Sequence, residues 1–166
     1  MGAAWRDRQG MVVHRFLCDE MYKGLARWLR AAGYDTAIAA NGAPDREVVA
    51  RACAEGRWLV TRDAGIAEHA AAGPCLVLLE QERPEAAAAE LADRLGLDWY
   101  HAPFTRCLIC NTPLESPPPS VAARAPADVT GPLRWCPTCD RLYWEGSHTR
   151  RMRRGLERLR GEADRG

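Results

Sequence analysis

Two Cys-x-x-Cys turns near the C-terminus constrain this chain more than any other feature. They are Cys107-Leu108-Ile109-Cys110 and Cys136-Pro137-Thr138-Cys139, with residues 111–135 between them. Two thiolates two residues apart can reach one metal ion from a single tight turn, and a second such turn completes a tetrahedral site. The C-terminal third must therefore bring the two turns face to face. Four thiolates close the coordination sphere, so the expected ion, zinc, is structural. The competing reading is a redox dithiol, which two matched turns outside any strand–helix repeat argue against. Ser116-Pro117-Pro118-Pro119 between them reads as a loop, since prolines exclude a regular helix or a central strand.

Seven cysteines in 166 residues could also suggest disulfides. The number is odd, and residues 1–10 carry Arg6, Asp7 and Arg8 where a secretory leader needs an apolar run. No segment approaches membrane-spanning length. A reducing cytoplasm is the consistent expectation, with Cys18, Cys53 and Cys75 as core residues in apolar surroundings. The net charge of +1 says little, but Arg150, Arg151, Arg153, Arg154, Arg158 and Arg160 crowd the end of the chain and would attract phosphate. Lys23 is the only lysine, and the Ala-, Gly- and Arg-rich composition suggests a GC-rich, bacterial genome.

Upstream of the cysteines, strands and helices alternate. Strands are expected at 12–18, 35–39, 58–61 and 75–79, and helices at 21–32, 44–55, 64–72 and 84–95. Met21, Leu25, Trp28 and Leu29 share one face of the first helix. This alternation predicts an α/β fold, a parallel sheet with helices on both faces. The organisation expected is a strand–helix domain over 12–98, a cysteine ribbon over 103–152 and a basic tail over 153–166. Met152, Leu156 and Leu159 line one face of a short helix there. Trp135, Tyr143 and Trp144 read as ribbon core, although aromatic rings can also stack on bases. His101 and His148 sit near the ribbon as structural histidines.

Ligands of open parallel sheets bind at the carboxyl ends of the strands. Asp19 follows the first strand and Asp63 the third, so both fall on that edge. Asp45, in the first turn of the second helix, shares a face with Val48, Val49 and Ala52 and should point toward the sheet. Three converging carboxylates suit magnesium or manganese, and such an ion can activate water against a phosphodiester. Aspartate is also a favoured helix cap, so each alone could serve only to start a helix. Lys23, Arg27 and Arg30 form a stripe opposite the apolar face of the first helix, readable as a phosphate track or as a solvated face.

The motif series Phe-Leu-Cys-Asp-Glu-Met at 16–21, Leu-Ala-Arg-Trp-Leu-Arg at 25–30, Gly-Tyr-Asp-Thr at 33–36 and Gly-Arg-Trp-Leu-Val-Thr-Arg-Asp at 56–63 is followed by the two cysteine turns and Tyr-Trp-Glu-Gly-Ser-His at 143–148. In that order it resembles the Mut-seven C-terminal RNase-like family over about residues 13–152. The resemblance implies a PIN-like nuclease domain with a C-terminal zinc ribbon and metal-dependent cleavage of RNA. It puts Asp19 and Asp63 in the acidic site, with Asp45 in the family's acidic stretch before the second helix. It also implies that Arg62 steadies Asp63 or contacts phosphate, and it leaves Asp35 without a role. The expectation is thus a cytoplasmic ribonuclease. The alternatives are a non-catalytic RNA- or ribosome-binding adaptor with the same fold, and a toxin-like nuclease restrained by a partner protein.

Overall fold

In the computed structural model, residues 13–68 and 73–163 are described. Four short strands form one parallel sheet in the order β2-β1-β3-β4. They are β1 (Arg15–Cys18), β2 (Asp35–Ile38), β3 (Trp58–Thr61) and β4 (Leu76–Leu78). Phe16, Leu17 and Cys18 are fully buried, and so are Leu59 and Val60, which is why these strands read as continuous apolar runs. Their side chains alternate between two cores. Phe16, Cys18, Trp58 and Val60 face the larger one, with α1 (Lys23–Ala31), α4 (Pro84–Leu95) and part of α6 (Ser147–Ala163). Leu17 and Leu59 face the smaller one, with α2 (Asp45–Ala54) and α3 (Ala64–Ala67). The strand order reverses direction at β1, so β1→β2 crosses one face and β2→β3 the other. The carboxyl ends of β1 and β3 therefore flank the switch point where open α/β sheets bind ligands.

The first helix starts later than its periodicity suggests. Residues Glu20–Tyr22 form a 3₁₀ turn, held because the Asp19 carboxylate accepts the N–H groups of Met21 and Tyr22. That turn rotates Met21 out of the apolar face, leaving it 57% exposed. Gly33 ends α1 at φ +98°, a left-handed position, and the backbone of Ala102 lies so close that a side chain could not fit. Val12, at the expected start of β1, and residues 69–72 of the expected third helix lie outside the described residues.

Cys53 and Cys75 depart from the expectation of separate reduced core thiols. They are joined in a disulfide between the end of α2 and the residue before β4, with their Cα atoms 5.9 Å apart.

The C-terminal part contains an antiparallel pair, β5 (Arg134–Cys136) and β6 (Arg141–Tyr143). The Pro-rich insert is not wholly a loop, since α5 (Pro119–Ala122) begins there with proline in its first turn, where a missing N–H costs nothing. The expected basic tail is the second half of α6, which spans the boundary at residue 152. Leu156 and Leu159 are buried in the larger core, and Gly155 packs directly on the Trp28 ring. Among the described residues, no helix is long and apolar enough to cross a membrane.

Candidate active site and cysteine cluster

The edge at the ends of β1 and β3 is organised by a residue the sequence reading passed over. Thr61, fully buried at the end of β3, donates its hydroxyl proton to Asp19 Oδ2. The Thr61 hydroxyl oxygen itself accepts the backbone N–H of Asp63 at 3.0 Å. One side chain thus ties the two aspartates together. A lone buried hydroxyl at the end of an otherwise apolar strand needs a partner, and that was the available signal. Asp19 is 9% exposed, and its Oδ1 accepts Met21 N at 2.9 Å and Tyr22 N at 3.3 Å. With the Thr61 bond, three of roughly four acceptor positions on that carboxylate are used. Asp63 lies on the exposed rim and caps α3 through Gly65 N at 2.7 Å.

Asp45 opens α2 but is exposed, not turned toward the sheet as its spacing suggested. A first-turn position lets the side chain lie over the helix end, outside the buried row of Val48, Val49 and Ala52. Lys23, at the start of α1, donates to Asn41 Oδ1 at 3.1 Å, linking it to the loop after β2. Arg27 is exposed on the next turn. Arg62 is half-buried and pairs with Glu82 at 3.4 Å. Tyr22 donates to the carbonyl of Gln81 at 2.6 Å, closing the edge on the β4 side. Burial pushes the Tyr22 phenol up to about 12, so it stays protonated as a donor.

Two residues belong to the opposite end of the sheet. Arg30 is 4% exposed, so it is not part of a solvated stripe. Its guanidinium donates to the carbonyls of Thr36 at 2.9 Å, Leu108 at 3.1 Å and Ile109 at 2.7 Å. Asp35, at the start of β2, accepts from Arg57 at 2.9 Å and from Asn111 Nδ2 at 2.7 Å. Burial alone would raise its pKa, but the bonds from Arg57 and Asn111 outweigh this and lower it. Asn111 Oδ1 in turn accepts Thr36 N at 2.9 Å. Arg30 and Asp35 therefore fasten the first cysteine turn to the strand–helix layers. An arginine flanked by apolar residues carries no sign of burial until its carbonyl partners are known, since those carbonyls lie as far away as residues 108 and 109.

Cys107, Cys110, Cys136 and Cys139 come together as expected, with their Sγ atoms all within 4.8 Å of one another. Cys110 and Cys136 are 3.4 Å apart, and Cys107 and Cys139 4.0 Å. Tetrahedral thiolate ligands at about 2.3 Å from zinc would lie about 3.8 Å apart, so the four residues fit such an ion. Each turn ends in a left-handed residue, Asn111 at φ 73° and Asp140 at φ 48°. Asn and Asp tolerate that conformation best after glycine, and it lets each turn curl its sulfurs to one side. Tyr143 Oη lies 3.1 Å from Cys107 Sγ. Among the described residues this is the single group of three or more His, Cys, Asp and Glu placed to hold a metal ion. Asp19, Asp45 and Asp63 share an edge but are not gathered to that spacing.

A parallel α/β sheet with two aspartates at its switch point and an appended cluster of four cysteines that could hold a metal ion defines the class of protein. Residues 14–156 match the Mut7-C RNAse domain, and the chain belongs to that family. It is also 32% identical over 101 residues to the human exonuclease mut-7 homolog, covering 58% of this chain but 12% of that protein. The chain therefore spans a small part of that relative's length. No solved structure matches it.

Proposed function

We propose that this chain is a divalent-metal-dependent ribonuclease with a PIN-like acidic site and a structural zinc ribbon. The observation that carries the reading is the Thr61 hydroxyl joining Asp19 to Asp63 at the switch point of the sheet. Membership of a family described as an RNase domain supports the substrate class. Asp19, Asp45 and Asp63 would hold magnesium or manganese, which when bound neutralises phosphate charge and activates water. Thr61 and the two backbone N–H groups fix the rotamer of Asp19. Lys23, Arg27 and Arg62 lie along the same edge to receive phosphate oxygens. Arg30 is not in this set, because its donors are committed to carbonyls. Zinc on the four cysteines would hold the ribbon, which aids RNA binding.

A second reading is a non-catalytic RNA-binding adaptor of the same fold. It is favoured by the saturation of Asp19 with internal hydrogen bonds and by the exposure of Asp45. Labelled RNA incubated with magnesium, manganese or neither separates the two, with Asp19→Asn alongside the parent. Metal-dependent cleavage lost in the variant supports the nuclease. Binding without cleavage in every condition supports the adaptor.

A further inference from the structure

Trp144, just after β6, is a large aromatic side chain left 37% exposed. It borders three recesses at once. One is a cleft of about 220 Å³ between the ribbon and α6, walled by Phe104, Tyr143, Arg134 and Arg153. The others, each about 310 Å³, open beside Arg124 and Arg141 and beside Ser147 and His148. Gly146 lies beneath the indole, where a Cβ would come 3.2 Å from Nε1. The ring is thus accessible from more than one side.

Guanidinium groups surround it. Arg134 and Arg141 on the hairpin are exposed and have no ion-pair partner among the described residues. Arg134 lines the first of these recesses with Trp144, and Arg141 lines both of the others. Asp140 and Glu145 beside them are engaged elsewhere, with Arg124 and Arg153. An open aromatic face between unpaired cations matches the chemistry of an unpaired base on its phosphate backbone.

We propose that Trp144, Arg134 and Arg141 form an anchor for single-stranded RNA, with a base stacked on the indole and the flanking phosphates against the two guanidinium groups. The anchor deepens the ribonuclease reading, on which it rests for its substrate class. It is remote from the acidic edge. The ribbon docks at the amino end of β2 through Arg30 and Asn111, whereas Asp19 and Asp63 sit at the carboxyl ends of β1 and β3. The nine residues of α1 between these ends make a helix about 13 Å long. An oligonucleotide too short to span that distance engages one site only.

Fluorescence anisotropy with a labelled single-stranded oligoribonucleotide, without added divalent metal and with zinc content verified, tests the anchor. Trp144→Ala should weaken binding roughly tenfold or more and Trp144→Phe much less. Arg134 and Arg141 changed together to Gln should lower the slope of log affinity against log salt by about 1. In cleavage assays the same variants should raise KM for long strands and leave short substrates unaffected. Binding by Trp144→Ala within twofold of the parent, in a protein with full zinc and parental circular dichroism, overturns the anchor. So does a parent that binds no RNA, which would turn this surface over to a protein partner. Asp19→Asn should bind like the parent. An inactive parent that still needs Trp144 to bind RNA would reject the nuclease reading and leave the anchor standing.

Discussion

Arg30 offers the sharpest contrast between a functional and an architectural role for one side chain. Replacing it with Met keeps the aliphatic stem and removes the guanidinium. Three carbonyls, on Thr36, Leu108 and Ile109, then lose their donor. Hydrogen bonds to a charged group contribute about 1.5–3 kcal/mol each. Their sum overstates the effect, because removing the cation also relieves the burial that lowers its pKa. A net loss of about 3–5 kcal/mol remains, which in a chain of this size shifts Tm by about 6–20 °C. Arg30→Lys, with a single ammonium, should fall between Met and the parent. Leu108 and Ile109 lie between Cys107 and Cys110, so the same change should speed zinc release to a colorimetric chelator. Thermal melts by circular dichroism, zinc-release kinetics and RNA binding below every Tm together decide the matter. If Arg30→Met melts within 2 °C of the parent, as roughly 1 kcal/mol or less implies, and binds RNA more weakly, Arg30 is a phosphate ligand and the architectural account is wrong.

Asp35 has a folded pKa below the unfolded carboxylate value near 3.9. Its stabilisation is therefore fully present above that value and lost as pH falls through the folded one. Asp35→Asn should lower stability at neutral pH by about 2 kcal/mol and narrow its gap to the parent below pH 3, measured by urea titration across pH. Stripping the cysteine centre with a strong chelator should abolish cooperative melting of the ribbon and loosen α6, seen as hydrogen exchange at Leu156 and Leu159; unchanged exchange would show that the metal is dispensable. Gly155→Ala would put a Cβ 2.2 Å from the Trp28 ring. Overpacking of that kind costs about 1–3 kcal/mol, and an unchanged Tm would mean that α6 does not sit on Trp28.

The sheet was legible because burial on both faces forces continuous apolar strands, and Trp58-Leu59-Val60 obeys that rule. The cysteine cluster was legible because two identical turns share one purpose. The acidic edge was legible as an edge, since a residue following a strand in a parallel sheet has only one end to occupy. Its internal wiring was not. Thr61 looks like any strand threonine until Asp19 stands beside it, and Asp45 looked inward because helical spacing does not register the freedom of a first turn. Arg30 was misread for a related reason. Periodicity locates the face of a helix, but it cannot see a second layer of chain arriving from residue 108 to cover that face. Met21 failed because Asp19 captures two N–H groups and tightens the backbone ahead of the helix.

These placements set the division of labour in the molecule. The acidic edge is built by strand ends and held by one buried hydroxyl, with no hydrogen bond among the described residues joining Cys107, Cys110, Cys136 or Cys139 to Asp19 or Asp63. The ribbon reaches the same α1 helix at its other end, through Arg30, and shares the larger core through Leu108 and α6. Zinc on the cysteines would therefore act on the chemistry by way of rigidity and substrate placement, not by touching the reacting phosphate. In the proposed ribonuclease, with Lys23, Arg27 and Arg62 as the cations near the cut, a second cationic surface displaced along the strand would add affinity. The proposed anchor would do so without crowding the water and metal of the proposed acidic site. The separation would also favour single strands: a flexible chain can follow both surfaces, whereas a stiff duplex keeps its bases from the Trp144 ring.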